Sequence, residues 1–239
     1  MKTVAFIPAR SGSTRLKNKN IKLFHKKPLI YWTLKKAIES NLFQKIIFSS
    51  DSKKYYKILI KYLLKDNLIK HKEEIIFDQR KKEFSKKKSK IFDYIKHEFI
   101  KKFEFTRNTL IVQLLPTAPL REVKTLRKAI LEAKNHRKNI FSASEYDFHL
   151  KFAFTKYKNN WKNQFKDTPM KNGNTQSQDQ KTYYHPNGVI NCLWTDFLSK
   201  KTKTIYDNAF PFYVSKLEAL DIDTKDDFRI CEALYKLKK

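Results

Sequence analysis

Two segments near opposite ends of this 239-residue chain carry side chains suited to phosphate chemistry. The first, residues 8–20, offers a glycine for close backbone approach and four polar side chains that can hold a triphosphate: Arg10, Ser13, Arg15 and Lys19. Guanidinium groups are forked donors to phosphate oxygens, and an ammonium group is a compact point charge. These residue types predict a phosphate-binding loop, with an ordinary solvated basic loop as the alternative.

The second segment contains an Asp-x-Asp pair, Asp221 and Asp223. Residues two apart in an extended segment face the same side, so both carboxylates can converge on a hard divalent cation. Mg²⁺ is favoured when phosphates complete its coordination shell. The alternative is that Asp223 or Thr224 caps the helix that follows, and the two roles can coexist.

The elements that must position these residues alternate along the chain. Short apolar runs predict strands at residues 3–8, 45–49, 75–77, 109–114, 139–144, 189–194 and 211–214. Apolar residues at helical spacing predict helices at residues 29–40, 91–102, 122–135 and 226–237, and one from an Asp51-Ser52 cap to residue 64. This alternation predicts an α/β fold with a mainly parallel sheet.

The phosphate-binding candidate directly follows the first predicted strand, which is where open α/β sheets bind ligands. The chain has only three glycines, so neither a dinucleotide fingerprint nor a Gly-x-x-x-x-Gly-Lys phosphate loop can be drawn. Gly12 lies in this loop, and Gly188 follows Asn187. We expect glycine at both positions to permit a turn or a close approach to a ligand.

The length predicts one domain over residues 1–239. Residues 156–181 interrupt the alternation, because they are polar and rich in Asn, Gln and Lys. This composition predicts an extended loop or a small excursion from the main domain, within about residues 145–187.

Net charge is the unusual bulk property, with 52 Lys and Arg against 24 Asp and Glu, or +28. Lysines spread along the whole chain favour a solvated basic surface over a nucleic-acid partner, and the field would attract a nucleotide or a sugar carboxylate. The two cysteines cannot build a disulfide framework, and no apolar run reaches the length of a membrane span. We therefore expect a cytoplasmic protein with no nucleic-acid partner and no membrane span.

Four motifs follow one another along the chain: IPARSGSTRLKNKN at residues 7–20, LPTAPLR at 115–121, YHPNG at 184–188 and DIDT at 221–224. Together they resemble the CMP-sialic acid synthetase family, the N-acylneuraminate cytidylyltransferases. Ser49-Ser50-Asp51 also fits the end of the second strand in that family. Five ordered matches over nearly the whole chain are far more specific than any one of them.

The resemblance implies a Rossmann-like fold of the nucleotide-diphospho-sugar transferase type, with helices flanking the sheet. It implies a homodimer in which the excursion reaches the partner subunit, and a Mg²⁺-dependent reaction between CTP and a nine-carbon 2-keto sugar acid. The anomeric hydroxyl would attack the α-phosphate and expel pyrophosphate. N-acetylneuraminate is the default sugar, with legionaminate and pseudaminate close behind.

The resemblance also implies a role for individual residues. Four would hold the triphosphate: Arg10, Ser13, Arg15 and Lys19. Asn20 would contact the cytosine or ribose, and Arg80 would lie near the nucleotide. Asp221 and Asp223 would bind Mg²⁺ and, with Arg10 and Lys19, form the catalytic set. Four positions fall on the sugar-acid side: Lys151, Gln178, Asn187 and Gly188.

Departures from the family pattern concentrate on the sugar side, at Leu115, Ser177 and His185, where Gln, Arg and Arg are common. A site with these residues recognises its sugar differently or takes another sugar. One alternative is a CMP-Kdo synthetase, favoured by the Ser-Thr-Arg-Leu run at residues 13–16. Another is a basic nucleic-acid-binding protein without catalysis. A family member that binds nucleotide without turnover is disfavoured by the intact acidic pair.

Overall fold

The computed structural model describes residues 1–86, 88–174, 176, 178, 180–198 and 201–237. Its strands are, in chain order, β1 (Lys2–Pro8), β2 (Leu23–Phe24), β3 (Lys27–Pro28), β4 (Lys45–Ser50), β5 (Ile75–Gln79), β6 (Thr109–Gln113), β7 (Asn139–Glu145), β8 (Phe154–Tyr157), β9 (Asn160–Asn163), β10 (Tyr184–Trp194) and β11 (Ala209–Tyr213). Its helices are α1 (Leu29–Ser40), α2 (Lys53–Lys65), α3 (Ile91–Tyr94), α4 (Ile100–Lys102), α5 (Val123–Asn135), α6 (Pro169–Asn172) and α7 (Lys225–Leu237).

Seven of these strands form the main sheet, in the order β11-β7-β10-β6-β1-β4-β5. Strand β10 runs antiparallel to both of its neighbours, whereas the other four strand pairs are parallel. The prediction of an α/β fold with a mainly parallel, Rossmann-like sheet is confirmed.

The sheet reverses its direction of winding beside β1. The chain runs from β1 to β4 and β5 on one side, and then returns to place β6 on the other side of β1. Neighbouring loops diverge at such a switch point and leave a crevice at the carboxyl ends of the strands. The loop after β1 and the segment at residues 115–121 after β6 therefore face each other.

Both faces of the sheet are buried, which is why its central strands are apolar almost throughout. Ala5 and Ile7 point into the core formed with α1, α2, α5 and α7, while Val4 and Phe6 point into a second core formed with α3 and α4. Burial of one such side chain stabilises a fold by about 1.5–3 kcal/mol. The two cores together hold β1 and its following loop in place.

The local predictions are confirmed for most elements, and the structure adds detail in two places. The helix predicted over residues 91–102 contains a π-helical stretch, Ile95–Phe99, between α3 and α4. The hairpin of β8 and β9 begins just before the polar stretch at residues 156–181 and runs into it, and the short helix α6 follows within that stretch. The hairpin gives little sequence signal, because nearly all of its side chains are exposed and no apolar alternation marks it.

None of the helices in the described part of the chain is both long and apolar enough to cross a membrane. Cys192 and Cys231 are free thiols, and both are buried.

Candidate active site

A cavity of about 330 Å³ opens at the switch point between β1 and β6. Among the described residues, three segments line it: the loop after β1, the start of the segment after β6, and the acidic pair. The lining residues are Pro8, Arg10, Ser13, Thr14, Arg15, Leu16, Lys19, Asn20, Leu115, Pro116, Thr117, Asp221 and Asp223. The structure thus brings together the two segments that the sequence singled out.

The loop after β1 is held in place by the end of the neighbouring strand. The carboxylate of Asp51 accepts hydrogen bonds from the Ser11 backbone N–H at 2.8 Å and from the Ser11 hydroxyl at 2.7 Å. The Tyr55 hydroxyl donates to the Ser11 carbonyl at 3.3 Å. Ser52, as predicted, caps α2 by accepting from the Tyr55 N–H. Asp51 therefore anchors the loop after β1 and does not cap α2.

Asp223 connects the acidic segment to this loop. Its Oδ2 atom lies 2.5 Å from Arg15 Nη2, and its Oδ1 atom accepts a hydrogen bond from Lys19 Nζ at 2.8 Å. Lys19 Nζ also donates to the Ile222 carbonyl at 2.6 Å. Both oxygens of Asp223 are thus occupied by the cations that the sequence assigned to a triphosphate.

Asp221 lines the cavity and keeps contact with solvent, although the surrounding protein partly desolvates its carboxyl. Burial raises the pKa of this carboxyl above its ordinary value, and the nearby charge of Asp223 raises it further. A hydrogen bond from the Thr117 side chain and the charge of Lys19 oppose this shift. The backbone next to Asp221 is fixed, because the Ile222 N–H donates to the Thr117 carbonyl at 2.8 Å. A cation in the cavity would relieve the repulsion between the two carboxylates.

Asn20 lines the cavity but is itself buried, and its side-chain N–H donates to the Arg10 carbonyl at 2.9 Å. It fixes the backbone of the arginine that faces the same cavity. Its predicted contact with cytosine or ribose stays a prediction.

Arg80 is not among the described residues that line the cavity. It is only 5% exposed, and its guanidinium lies over the ring of Tyr94, with 5.9 Å from Cζ to the ring centroid. Burial lowers its pKa, against the charges of Asp51 and Asp78. Its Nε atom has no hydrogen-bond partner within the described residues. This atom is buried, and the nucleotide role predicted for Arg80 stays a prediction.

Gly188 forms part of the cavity wall indirectly. Its φ is 70°, and a Cβ atom at this position would lie 2.9 Å from Cδ1 of Leu115, which lines the cavity. Only glycine avoids this collision without movement of Leu115. At Gly12, in contrast, a Cβ atom would meet nothing within 4 Å, so the protein itself does not require glycine there.

The Asn187 side chain is used inside the protein. Its Oδ1 atom accepts from the Ser142 hydroxyl at 2.5 Å, and its Nδ2 atom donates to the Ser144 hydroxyl at 2.7 Å. These bonds span an irregularity in the pairing of β10 with β7. In this arrangement Asn187 shapes the turn before Gly188, and its amide does not point freely to a ligand.

The remaining sugar-side residues lie on the excursion. Lys151 forms an ion pair with Asp167, and Gln178 donates from Nε2 to Gln176 Oε1 at 3.3 Å. Neither is among the described residues lining the cavity. Ser177 lies outside the described residues. The roles of Lys151 and Gln178 stay predictions.

Sequence reasoning assigned no site role to Thr117, although it lines the cavity and bonds to Asp221 through its side chain. A signal was available, since Thr117 lies in the LPTAPLR motif directly after β6. Its role follows from the pairing of that segment with Asp221 and Ile222, a contact between distant parts of the chain that no local pattern reveals.

Comparisons with known proteins agree with this architecture. The sequence profile of the family described as Cytidylyltransferase matches residues 4–238. The pseudaminic acid cytidylyltransferase of Campylobacter jejuni subsp. jejuni serotype O:23/36 is 28% identical over 251 residues, which cover 99% of this chain and 97% of that protein. The N-acylneuraminate cytidylyltransferase of Streptococcus agalactiae serotype V is 30% identical over 237 residues. That match covers 95% of this chain and 52% of that protein, so this chain spans about half its length.

Among solved structures, CMP:2-keto-3-deoxy-manno-octonic acid synthetase complexed with CTP superposes with a TM-score of 0.68 over 100% of both chains. Its sequence identity is 14%, so the likeness is one of fold. The family profile and the relatives confirm the resemblance that the four motifs carry, and with it the assignment of an enzyme that transfers nucleotides. This chain belongs to the cytidylyltransferase family.

Proposed function

We propose that this enzyme joins CMP from CTP to the anomeric hydroxyl of a nine-carbon 2-keto sugar acid. N-acetylneuraminate, legionaminate and pseudaminate are the candidate acids. The anomeric oxygen bonds to the α-phosphorus as the bond from that phosphorus to the oxygen bridging the α- and β-phosphates breaks. Pyrophosphate leaves, and the hydroxyl proton is released to solvent. The observation that carries the proposal is the meeting of Arg15, Lys19 and the Asp221–Asp223 pair in one cavity at the switch point.

The cationic side chains of the cavity suit a triphosphate. Arg10, Arg15 and Lys19 reach it from a single loop, and that loop is anchored by Asp51. Transfer of a phosphoryl-type group depends on positioning and on neutralising charge, for which preorganised cations are effective. We assign these three residues to the phosphates of CTP, with Ser13 beside them.

The acidic pair fits a divalent cation. Asp221 and Asp223 both line the cavity, and burial together with the nearby charge of Asp223 raises the pKa of Asp221. Carboxylate oxygens with phosphate oxygens are the ligands that Mg²⁺ takes. We propose that Asp221 and Asp223 hold Mg²⁺ with CTP. When bound, the ion would neutralise phosphate charge and help orient the reacting groups.

The wall opposite the phosphate loop suits the sugar acid. Leu115 presents an apolar side chain there, and Gly188 leaves room for that side chain. The strong positive charge of the protein would draw in a sugar carboxylate as well as a nucleotide. The relatives named for pseudaminic acid and for N-acylneuraminate support a nine-carbon acid.

We further propose that the excursion at about residues 145–187 forms a homodimer interface. Its hairpin exposes large apolar side chains, with Phe154, Tyr157 and Trp161 being 52%, 64% and 65% exposed. Exposed aromatic side chains in a cluster are typical of protein interfaces. Light scattering on the purified protein should give twice the mass of one chain, and a monomer at all concentrations would contradict the dimer.

We propose the cytoplasm as the place of action, where CTP is available.

Pyrophosphate release from CTP and Mg²⁺ tests the function. The assay runs in parallel with N-acetylneuraminate, legionaminate, pseudaminate and Kdo. We expect release with one of the nine-carbon acids and little with Kdo. Release with Kdo alone would favour the CMP-Kdo alternative suggested by residues 13–16. If the protein binds CTP but releases no pyrophosphate with any of the four acids, the proposed sugar class is contradicted.

A further inference from the structure

Arg121 is a charged side chain buried deep behind the cavity. It is 1% exposed, and its guanidinium donates three hydrogen bonds: from Nε to the Val189 carbonyl at 3.0 Å, from Nη2 to the Leu115 carbonyl at 2.8 Å, and from Nη1 to the Thr33 hydroxyl at 3.4 Å. One planar group thus joins the segment after β6, the strand β10 and the helix α1.

The carbonyls of Val189 and Leu115 lie beyond the part of the sheet in which β10 and β6 are hydrogen-bonded to each other. The pairing of β10 with β6 ends at Asn191 and Gln113, so Val189 and Leu115 are beyond the ladder. Buried backbone carbonyls need donors, and the rigid fork of an arginine can supply two at a fixed spacing. Arg121 therefore sets the separation between two backbones that the sheet leaves unpaired.

Ion pairing does not explain the position of Arg121. Within the described residues it has no ion pair, although the charge of Glu218 is close enough to favour its protonated form. Glu218 itself accepts from the Glu122 N–H and from the Thr125 hydroxyl, each at 2.9 Å. Burial lowers the pKa of Arg121 to about 9, so the group is still charged at neutral pH. The hydrogen bonds that Arg121 donates, and not an ion pair with a carboxylate, account for its buried position.

One held carbonyl belongs to a cavity-lining residue, and the other belongs to the neighbour of Gly188. Leu115 lines the cavity with its side chain, and Val189 follows Gly188, which faces Leu115 Cδ1. Movement of either backbone would change the contact between Leu115 and Gly188 and so the shape of the wall. The phosphate loop has its own anchor at Ser11, which Asp51 and Tyr55 hold.

We propose that Arg121 is a positioning residue that sets the sugar-acid pocket through the backbones of Leu115 and Val189 without touching the substrate. This inference rests on the proposed function, because it assigns the wall at Leu115 to the sugar acid. It separates the control of sugar binding from that of CTP binding within one cavity.

Replacement of the Arg121 guanidinium group tests the inference. Arg121→Lys keeps the charge but cannot span three acceptors. With the acid that the unmodified enzyme turns over, KM for the acid should rise about 10-fold or more, whereas KM for CTP should change less than about 3-fold. Arg127→Lys is the control, since Arg127 also bonds a main-chain carbonyl, that of Ser40, but outside the cavity.

A role in stability alone predicts a different result. Arg121→Lys would then lower the melting temperature and the active fraction and leave both KM values unchanged, and this outcome would overturn the inference. If Arg121→Lys does not fold, Thr33→Val is the second variant. It removes the hydroxyl that accepts from Arg121 and that itself donates to the Leu115 carbonyl at 3.5 Å, with little change in shape. A selective rise in KM for the acid supports the inference, and unchanged KM values overturn it. Failure of the unmodified enzyme with every nine-carbon acid would instead contradict the proposed function.

Discussion

Lys19 and Asp223 lie 204 positions apart in the chain, yet Lys19 Nζ is 2.8 Å from Asp223 Oδ1. The Lys19 side chain is only 13% exposed, whereas that of Arg15, on the other oxygen of Asp223, is 67% exposed. An exposed ion pair contributes about 0–1 kcal/mol, so the Arg15 contact is easily exchanged for a phosphate. If Arg15 and Lys19 bind the triphosphate as proposed, Asp223 would hold the two cations together until CTP replaces it.

Loss of the Lys19 ammonium group, the less exposed of the two cations, should weaken CTP binding. Lys19→Met is expected to raise the dissociation constant for CTP by about 10- to 100-fold, since a charge-assisted contact contributes about 1.5–3 kcal/mol. Calorimetric titration with CTP measures the change. Lys17→Met is the matched control, because Lys17 is exposed on the same loop and is not among the described cavity-lining residues. Equal affinities for the two variants would contradict the role of Lys19.

Metal binding should depend on nucleotide. Both oxygens of Asp223 are engaged by cations in the present structure, so Mg²⁺ alone meets one available carboxylate, that of Asp221. We expect weak Mg²⁺ binding without CTP and clear binding with it, measured by titration calorimetry. Chelation with EDTA should abolish turnover. Tight Mg²⁺ binding in the absence of CTP would show that the contacts of Asp223 do not restrain the site.

Asn187 should contribute to stability. Asn187→Ala removes one of the two partners of each of the Ser142 and Ser144 hydroxyls and the acceptor of the Val189 N–H, and the free energy of unfolding should fall by about 1–3 kcal/mol. Urea unfolding measures this change, with the exposed Asn108→Ala expected to lie within about 0.5 kcal/mol of the unmodified protein. An Asn187→Ala protein of unchanged stability with a raised KM for the acid would instead mark the amide as a direct sugar ligand.

The cysteines should be unreactive in the folded protein. Burial raises the pKa of both Cys192 and Cys231 to about 12, so at pH 8 almost no thiolate is present. A thiol reagent such as DTNB should label neither thiol in the native state and both after denaturation. Rapid labelling of the native protein would show that these thiols are not buried as described.

The sequence predicted the sheet and the phosphate side of the site because both depend on local patterns. Apolar runs identified β1 and β6, and Arg15 and Lys19 lie in the loop that directly follows β1. Contacts between distant segments gave no such signal. The pairing of Asp223 with Lys19 and the insertion of Arg121 between Leu115 and Val189 exist only after the chain has folded.

The sugar side was harder to predict for a physical reason. Asn187 was assigned to the sugar acid by motif position, but in the structure its amide is occupied by Ser142 and Ser144. A motif identifies a residue type at a position and cannot tell whether its polar atoms face a ligand or another strand. Lys151 and Gln178 lie on the excursion, where exposed polar residues carry no periodic pattern at all.

The rate of pyrophosphate release by Asp223→Ala, with CTP, Mg²⁺ and the preferred acid, tests the proposed active site most directly. Asp226→Ala is the control, because Asp226 is exposed on α7 and pairs only with Arg229 within the described residues. We expect Asp223→Ala to lose about 1,000-fold or more in rate with its fold intact, since a metal ligand supports several kcal/mol of charge stabilisation. The control should be near normal. A near-normal rate in Asp223→Ala would contradict the assignment of this cavity as the active site.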